Sequence, residues 1–97
     1  MVWRVEFDKK ADKDLEKIDD QAKRCILKYL SERIETEEDP RRFGDPLRRD
    51  LAGLWKYRVG SYRVICDIQD HVLIVLVVRI GDRKDVYQKK TQTQKRS

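Results

Sequence analysis

The chain has 97 residues, of which 39% are hydrophobic and 42% are charged, and its formal net charge is +5. This length suits one domain with a small core and is too short for two. The longest apolar stretch, residues 72–78, has the length of a strand and falls short of the roughly 20 residues that a membrane-spanning helix needs. The N-terminus does not resemble a signal peptide, so we expect a cytoplasmic protein with no membrane contact.

Positive charge is concentrated in the second half of the chain. Residues 1–40 contain 9 Lys or Arg against 12 Asp or Glu, residues 41–87 contain 10 against 6, and residues 88–97 contain 4 against none. A cationic half favours an anionic partner, nucleic acid first, although charge alone leaves a merely solvated surface open.

The cysteines and the histidine predict no metal site and no cofactor. Cys25 and Cys66 are far apart, lack metal-binding spacing and fall at apolar positions, so we expect two reduced cysteines in the core. His71 is the single histidine, and its place beside Gln69-Asp70 indicates a solvated turn. Metal catalysis therefore has few ligands to work with.

The first half of the chain predicts one strand and two helices. Residues 2–7 alternate between apolar and polar, as a half-buried strand does. Apolar residues then recur at helical spacing over residues 11–18 and again over residues 22–34. Asp8 and Asp19 precede these stretches and are suited to cap the helices. The result is a helical hairpin whose apolar stripes need a sheet to cover.

The second half predicts a meander of strands. Residues 35–50 form a charged loop, and three strands follow at residues 54–59, 62–68 and 72–80, separated by turn residues. The continuous apolar run of the last strand predicts burial on both of its faces. The order β-α-α-β-β-β therefore predicts an α+β fold: a small, mostly antiparallel sheet with the helical hairpin packed on one face.

Period-two geometry assigns the strand side chains to two faces of this sheet. The apolar set facing the helices is Trp55, Tyr57, Val59, Tyr62, Val64, Cys66, Val78 and Ile80. The opposite face then carries Lys56, Arg58 and Arg63, and Arg79 also points away from the helices. Like charges on adjacent strands repel each other. An anion bound among them explains this arrangement better than three independent solvated cations.

Four sequence motifs carry a resemblance to a known family. They are Leu-Trp-Lys-Tyr-Arg at 54–58, Gly-Ser-Tyr-Arg-Val at 60–64, Val-Val-Arg-Ile-Gly-Asp-Arg at 77–83 and Asp-Val-Tyr at 85–87. Over nearly all of residues 2–88 the chain resembles the RelE toxins of prokaryotic type II toxin–antitoxin systems, within the RelE/ParE superfamily. The resemblance implies a single RelE-like domain at residues 1–88. We expect the basic tail, residues 89–97, to be disordered.

The resemblance also implies an activity and partners. RelE toxins are ribonucleases that cut mRNA in the ribosomal A site, where the 2′-hydroxyl of the RNA attacks the adjacent phosphate. The expected protein is thus a metal-independent endoribonuclease that inhibits translation. Its implied partners are a cognate RelB-like antitoxin, which forms a hetero-oligomer with the toxin and silences it, and the ribosome with its mRNA and rRNA.

Matching positions of the family motifs imply the catalytic roles. Lys56 resembles the general base, and Arg58 falls where the family has a second basic residue, often lysine. Arg63 resembles the arginine that stabilises the phosphorane, and Arg83 the arginine near the leaving group, where an electrostatic role comes before proton donation because arginine is almost always charged. Tyr87 resembles the tyrosine that stacks on the nucleotide. Further RNA contacts are expected from Arg79, Lys84, Lys89 and Lys90.

Two other functions stay open. ParE-type toxins share the fold but inhibit DNA gyrase and lack the cationic catalytic set. A non-catalytic module that binds RNA or an antitoxin needs only phosphate contacts, so exchange of lysine for arginine would leave it unharmed. Cleaved mRNA, trapped gyrase–DNA complexes and tolerance of such exchanges distinguish the three.

Overall fold

The computed structural model describes residues 2–82. Its two helices and five strands follow one another along the chain, with short 3₁₀ turns between some of them. Their bounds are β1 (Arg4–Phe7), α1 (Lys9–Lys17), α2 (Asp20–Tyr29), β2 (Asp45–Pro46), β3 (Trp55–Val59), β4 (Tyr62–Gln69) and β5 (Ile74–Asp82).

The helical hairpin forms where the apolar spacing predicts it. The Asp19 carboxylate accepts a hydrogen bond of 2.7 Å from the Ala22 amide, which confirms its predicted capping role at the start of α2. Asp8 occupies the N-cap position of α1, but its side chain makes no hydrogen bond there, so its predicted capping role is wrong. A π-helical turn, Leu30–Ile34, extends α2.

The sheet has the strand order β1-β5-β4-β3-β2. β1 runs parallel to β5, and every other neighbouring pair is antiparallel. The predicted α+β fold with a mostly antiparallel sheet is confirmed. No sequence pattern predicts β2, because a strand of two residues within a charged loop is too short for alternation.

The core lies between the helices and one face of the sheet. Ala11, Ile26, Leu30 and Ile34 contribute the helical side of this core. The sheet contributes Tyr57, Val64, Cys66, Val75, Val77 and Ile80. The predicted alternation of β3 and β4 is confirmed by these residues. In β5, however, the residues between the buried ones are half-exposed, so the prediction of burial on both faces is wrong.

The two cysteines differ in their environment. Cys66 is buried in the core as expected, and burial raises the pKa of its thiol. Cys25 is exposed on α2, so its predicted core position is wrong. Its neighbour Ile26 is fully buried, which shows that the apolar stripe of α2 is narrower than the sequence indicates.

Within residues 2–82, no helix is long and apolar enough to cross a membrane. The predicted domain end at residue 88 and the predicted basic tail at residues 89–97 lie outside the described residues.

Candidate active site

The β3–β4 hairpin fixes the position of three cationic residues. Gly60 and Ser61 connect the strands, and Gly60 has a φ of 61°, a conformation that glycine adopts without steric cost. The turn sets a register in which Arg58 lies opposite Arg63, and Lys56 lies opposite Ile65. Residues opposite one another project to the same face, so all three cations lie on the face away from the helices.

A β-bulge brings a fourth cation to this face. The pairing of β4 with β5 matches Ile65 to Arg79 but Cys66 to Val77, and thereby skips Val78. A one-residue shift moves every following side chain to the other face. Arg79 therefore joins Lys56 on the face away from the helices, while Ile80 returns to the core. The predicted outward direction of Arg79 is confirmed. Val78 was predicted to face the helices, but Val77 occupies the core instead.

Two rows of side chains result across the three central strands. One row runs Lys56–Ile65–Arg79, and the other runs Arg58–Arg63–Gly81. Ile65 is only 3% exposed although it lies outside the main core cluster. Long cationic side chains cover apolar surface with their aliphatic stems and keep their charged ends in water. We refer to Lys56, Arg58, Arg63 and Arg79 as the cationic face.

Two like charges lie opposite each other on the cationic face. Arg58 and Arg63 lie directly opposite each other, and like charges in this arrangement destabilise a sheet. The Arg58 guanidinium lies 3.9 Å from the Asp45 carboxylate, at the outer limit of an ion pair between two largely exposed side chains. Arg63 donates hydrogen bonds to the carbonyl oxygens of Tyr62 at 3.1 Å and Gly60 at 3.5 Å. A phosphate bound here would add negative charge between the two opposed arginines.

Asp45 lies near this face and was not identified from the sequence. It lies on β2 directly opposite Lys56 and approaches Arg58. Its position depends on the short strand β2, which no periodic pattern in the sequence announces. Tyr57, between Lys56 and Arg58, points instead into the core, where burial raises the pKa of its phenol and keeps the hydroxyl neutral.

Five predicted site residues, Arg83, Lys84, Tyr87, Lys89 and Lys90, lie outside the described residues. The described residues end at Asp82 in β5. Asp82 pairs with Tyr62 of β4, next to the pair formed by Gly81 and Arg63. The strand that precedes the predicted Arg83 and Tyr87 thus ends beside the cationic face.

The described residues offer no metal centre. No group of three or more His, Cys, Asp or Glu side chains between residues 2 and 82 is arranged to hold a metal ion. His71 is exposed in the 3₁₀ turn Asp70–Val72, as the sequence predicts.

Comparison with known proteins identifies related chains. Residues 5–87 match the family described as the ParE toxin of type II toxin–antitoxin system, parDE. Toxin RelG of Mycobacterium tuberculosis is 33% identical over 89 residues, which cover 92% of this chain and all of RelG. Toxin RelE of the same organism is 43% identical over 49 residues, half of each chain.

Solved structures extend the similarity to the fold. The toxin–antitoxin complex RelBE2 of M. tuberculosis contains a chain with a TM-score of 0.78 and 30% identity, and the match covers 86% of this chain and all of that one. A mutant of E. coli RelE in the free state has a TM-score of 0.69 and 22% identity, over 99% of this chain and 98% of that one. At that identity the second likeness shows the fold alone.

Proposed function

We propose that the chain, which belongs to the ParE toxin family of type II toxin–antitoxin systems within the RelE/ParE superfamily, is a ribosome-dependent endoribonuclease that cleaves mRNA in the A site. The observation that carries the proposal is the cationic face, where the register places Lys56, Arg58, Arg63 and Arg79 on one side of three adjacent strands. Cationic side chains gathered in this way are suited to bind the phosphate groups of RNA.

The cationic face suits transesterification of RNA. Attack of a ribose 2′-oxygen on the adjacent phosphorus forms a P–O2′ bond and breaks the P–O5′ bond, leaving a 2′,3′-cyclic phosphate. We assign removal of the 2′-hydroxyl proton to Lys56, acting as the general base. Negative charge grows on the phosphate oxygens during attack, and guanidinium groups already in place lower the barrier. Arg63 and Arg58 take this part, and Arg79 holds the neighbouring RNA backbone.

The remaining assignments fall on residues beyond Asp82. We assign Arg83 to electrostatic stabilisation of the departing 5′-oxygen and Tyr87 to stacking on the nucleotide, and we assign RNA contacts to Lys84, Lys89 and Lys90. In this scheme side chains supply the charge stabilisation, so the reaction is metal-independent and needs no cofactor. The proposed domain spans residues 1–88, with residues 89–97 as a basic tail.

The proposed partners are an antitoxin and the translating ribosome. Solved relatives include a toxin–antitoxin complex from M. tuberculosis and an archaeal RelE–RelB complex, so we propose a RelB-like antitoxin and a hetero-oligomer. The excess of positive charge favours rRNA and mRNA as the anionic surfaces. Both targets place the protein in the cytoplasm.

A second candidate function is inhibition of DNA gyrase. The observation that favours it is the description of the matching family, which refers to parDE toxins. A gyrase inhibitor would bind its target without any requirement for Lys56 or Arg63, and it would leave mRNA intact.

Cleavage by purified protein tests the proposed function. Ribosomes stalled with a defined A-site codon are mixed with the wild type, Lys56→Ala or Lys28→Ala, the last being an exposed control on α2. We expect a 2′,3′-cyclic phosphate end with the wild type and the control, and at least a hundredfold slower cleavage with Lys56→Ala. Equal cleavage by all three proteins would remove Lys56 from the mechanism, and intact mRNA with trapped gyrase–DNA complexes would support the second candidate.

A further inference from the structure

The segment between the helices and β3 packs against the strand that carries Lys56 and Arg58. We call residues 39–46 the connecting segment. Its last part is β2, in which Asp45 pairs with Lys56 and Pro46 pairs with Trp55. Because β2 ends the sheet on this side, the connecting segment determines what β3 contacts along its outer edge.

A buried hydrogen bond joins the connecting segment to the centre of β3. The Tyr57 hydroxyl donates to the carbonyl oxygen of Pro40 at 2.8 Å, and both residues are fully buried. Burial raises the pKa of the phenol, so the hydroxyl remains a donor at every physiological pH. Tyr57 lies between Lys56 and Arg58 in sequence, so a shift of its backbone moves both cations.

Gly44 provides a second contact, where little room is left for a side chain. A Cβ at this position would lie 3.1 Å from Cε1 of Tyr57, 3.2 Å from the carbonyl oxygen of Lys56 and 3.4 Å from Cε3 of Trp55. The φ of Gly44 is −112°, which any residue can adopt. Glycine therefore favours close approach to β3, where an added Cβ would push its neighbours by a few tenths of an ångström, and no special backbone conformation is involved.

Arg41 forms the third contact and ties the connecting segment to another part of the sheet. Its guanidinium lies 5.9 Å from the ring centroid of Trp55. The same group donates two hydrogen bonds to the Asp70 carboxylate, at 3.1 Å and 2.5 Å, in the turn between β4 and β5. This bidentate ion pair raises the pKa of Arg41 and lowers that of Asp70.

We propose that the connecting segment positions the catalytic strand, with Tyr57 and Gly44 as positioning residues that fix the backbone of β3 at Lys56. The expected effect on cleavage rests on the proposed ribonuclease function. The expected effect on the backbone of β3 rests on the contacts of the segment with Trp55, Lys56 and Tyr57. Reacting groups must be held within a fraction of an ångström, and a displacement of about 1 Å can cost about a hundredfold in rate. Asp45 of the segment also lies opposite Lys56 and 3.9 Å from the Arg58 guanidinium.

Tyr57→Phe and Gly44→Ala test the proposal by different routes. The first removes the hydroxyl that donates to the Pro40 carbonyl oxygen, and the second pushes a methyl group against the Lys56 carbonyl. We expect each variant to cleave ribosome-bound mRNA about tenfold more slowly at saturation while KM changes less than about twofold. RNA binding is retained because Arg58, Arg63 and Arg79 keep their side chains.

Two control variants separate positioning from loss of stability. Tyr29→Phe removes the hydroxyl of a second tyrosine, whose ring centroid is 6.1 Å from that of Tyr57, and leaves the hydrogen bond from Tyr57 to Pro40 in place. Ile26→Val shortens a fully buried side chain on α2 and lowers the melting temperature through the core. Both should cleave at the wild-type rate at a temperature where every variant is folded.

A second readout does not depend on cleavage. Backbone amide shifts and hydrogen exchange by NMR should change at residues 55–58 in Tyr57→Phe and Gly44→Ala, and stay unchanged there in Tyr29→Phe. Rates that follow the melting temperature in all four variants, or unchanged amides at residues 55–58, would overturn the positioning proposal. If the wild type itself leaves mRNA intact, the proposed function fails, and the amide comparison alone decides whether the segment positions β3.

Discussion

The two faces of the sheet differ in packing and in charge. On the face toward the helices, residues such as Tyr57, Val64 and Val77 are fully buried in one apolar cluster. On the opposite face, two arginines lie directly across from each other, and Arg58 has a partner only at the limit of an ion pair. The first face supplies most of the stability, through apolar burial. The second carries a like-charge arrangement that costs stability, which is why we propose it as the phosphate-binding site.

The largest effect is expected from the packed face. Ile26→Ala should lower the free energy of unfolding by about 2–5 kcal/mol, because it removes methyl groups from a site that is fully buried and leaves a cavity. Chemical denaturation followed by circular dichroism measures this change. Leu27→Ala is the matched control, since Leu27 is 39% exposed, and a loss as large as that of Ile26→Ala would mean that α2 is oriented differently.

The cationic face should respond in the opposite sense. Arg58→Ala removes one member of a directly opposed like-charge pair, so the free energy of unfolding should stay unchanged or rise by about 0.2–1 kcal/mol. Cleavage of ribosome-bound mRNA by the same variant should fall at least about tenfold, because the phosphate loses a charged contact. A marked loss of stability would contradict the division of roles between the faces, and exchange of Arg24 on α2 serves as the control.

A smaller effect is expected at the β-bulge that turns Arg79 outward. The Asp14 carboxylate on α1 accepts a hydrogen bond of 3.0 Å from the Ile80 amide. Asp14→Ala should lower the free energy of unfolding by about 1 kcal/mol, because that amide loses its acceptor. Asp14→Asn retains an oxygen acceptor and should recover most of the loss, whereas Glu16→Ala, at an exposed position of α1, should have little effect. Equal stability of all three variants would show that the bulge does not need Asp14.

The smallest effect concerns the ion pair between Arg41 and Asp70. The hydrogen bonds from Arg41 lower the pKa of Asp70 in the folded state, so the pair stabilises the fold above the ordinary aspartate pKa of about 3.9. This contribution is lost as the pH falls through the lowered folded-state pKa. The stability difference between wild type and Asp70→Asn should thus be constant near neutral pH and shrink toward zero in acid. A difference that grows in acid would contradict the assigned direction.

The sequence predicted the parts of the fold that rest on periodic patterns. Alternation identified β3 and β4 and the face that each side chain occupies, and the Gly60-Ser61 turn fixed their register. These two strands carry three of the four cations of the cationic face, which explains why most of that cluster could be predicted from the sequence.

Features that no periodic hydrophobic pattern marks could not be predicted in this way. The β-bulge that skips Val78 changes the face of all residues after it, and an apolar run such as residues 74–78 looks the same in either register. β2 has two residues, and its pairing with β3 depends on the space left at Gly44 and on the Tyr57 hydroxyl. Cys25 was misplaced because it falls at the edge of the helical stripe, where spacing does not separate buried from exposed positions.

The most direct test of the central claim is expression of the chain without an antitoxin, with the 5′ ends of cellular mRNA mapped after induction. Wild type, Arg63→Ala and the control Arg24→Ala are compared. We predict growth arrest and new cuts within codons for the wild type and for Arg24→Ala, and neither for Arg63→Ala. Growth arrest without new mRNA ends, or the same cuts with Arg63→Ala, would contradict a ribonuclease built on the cationic face.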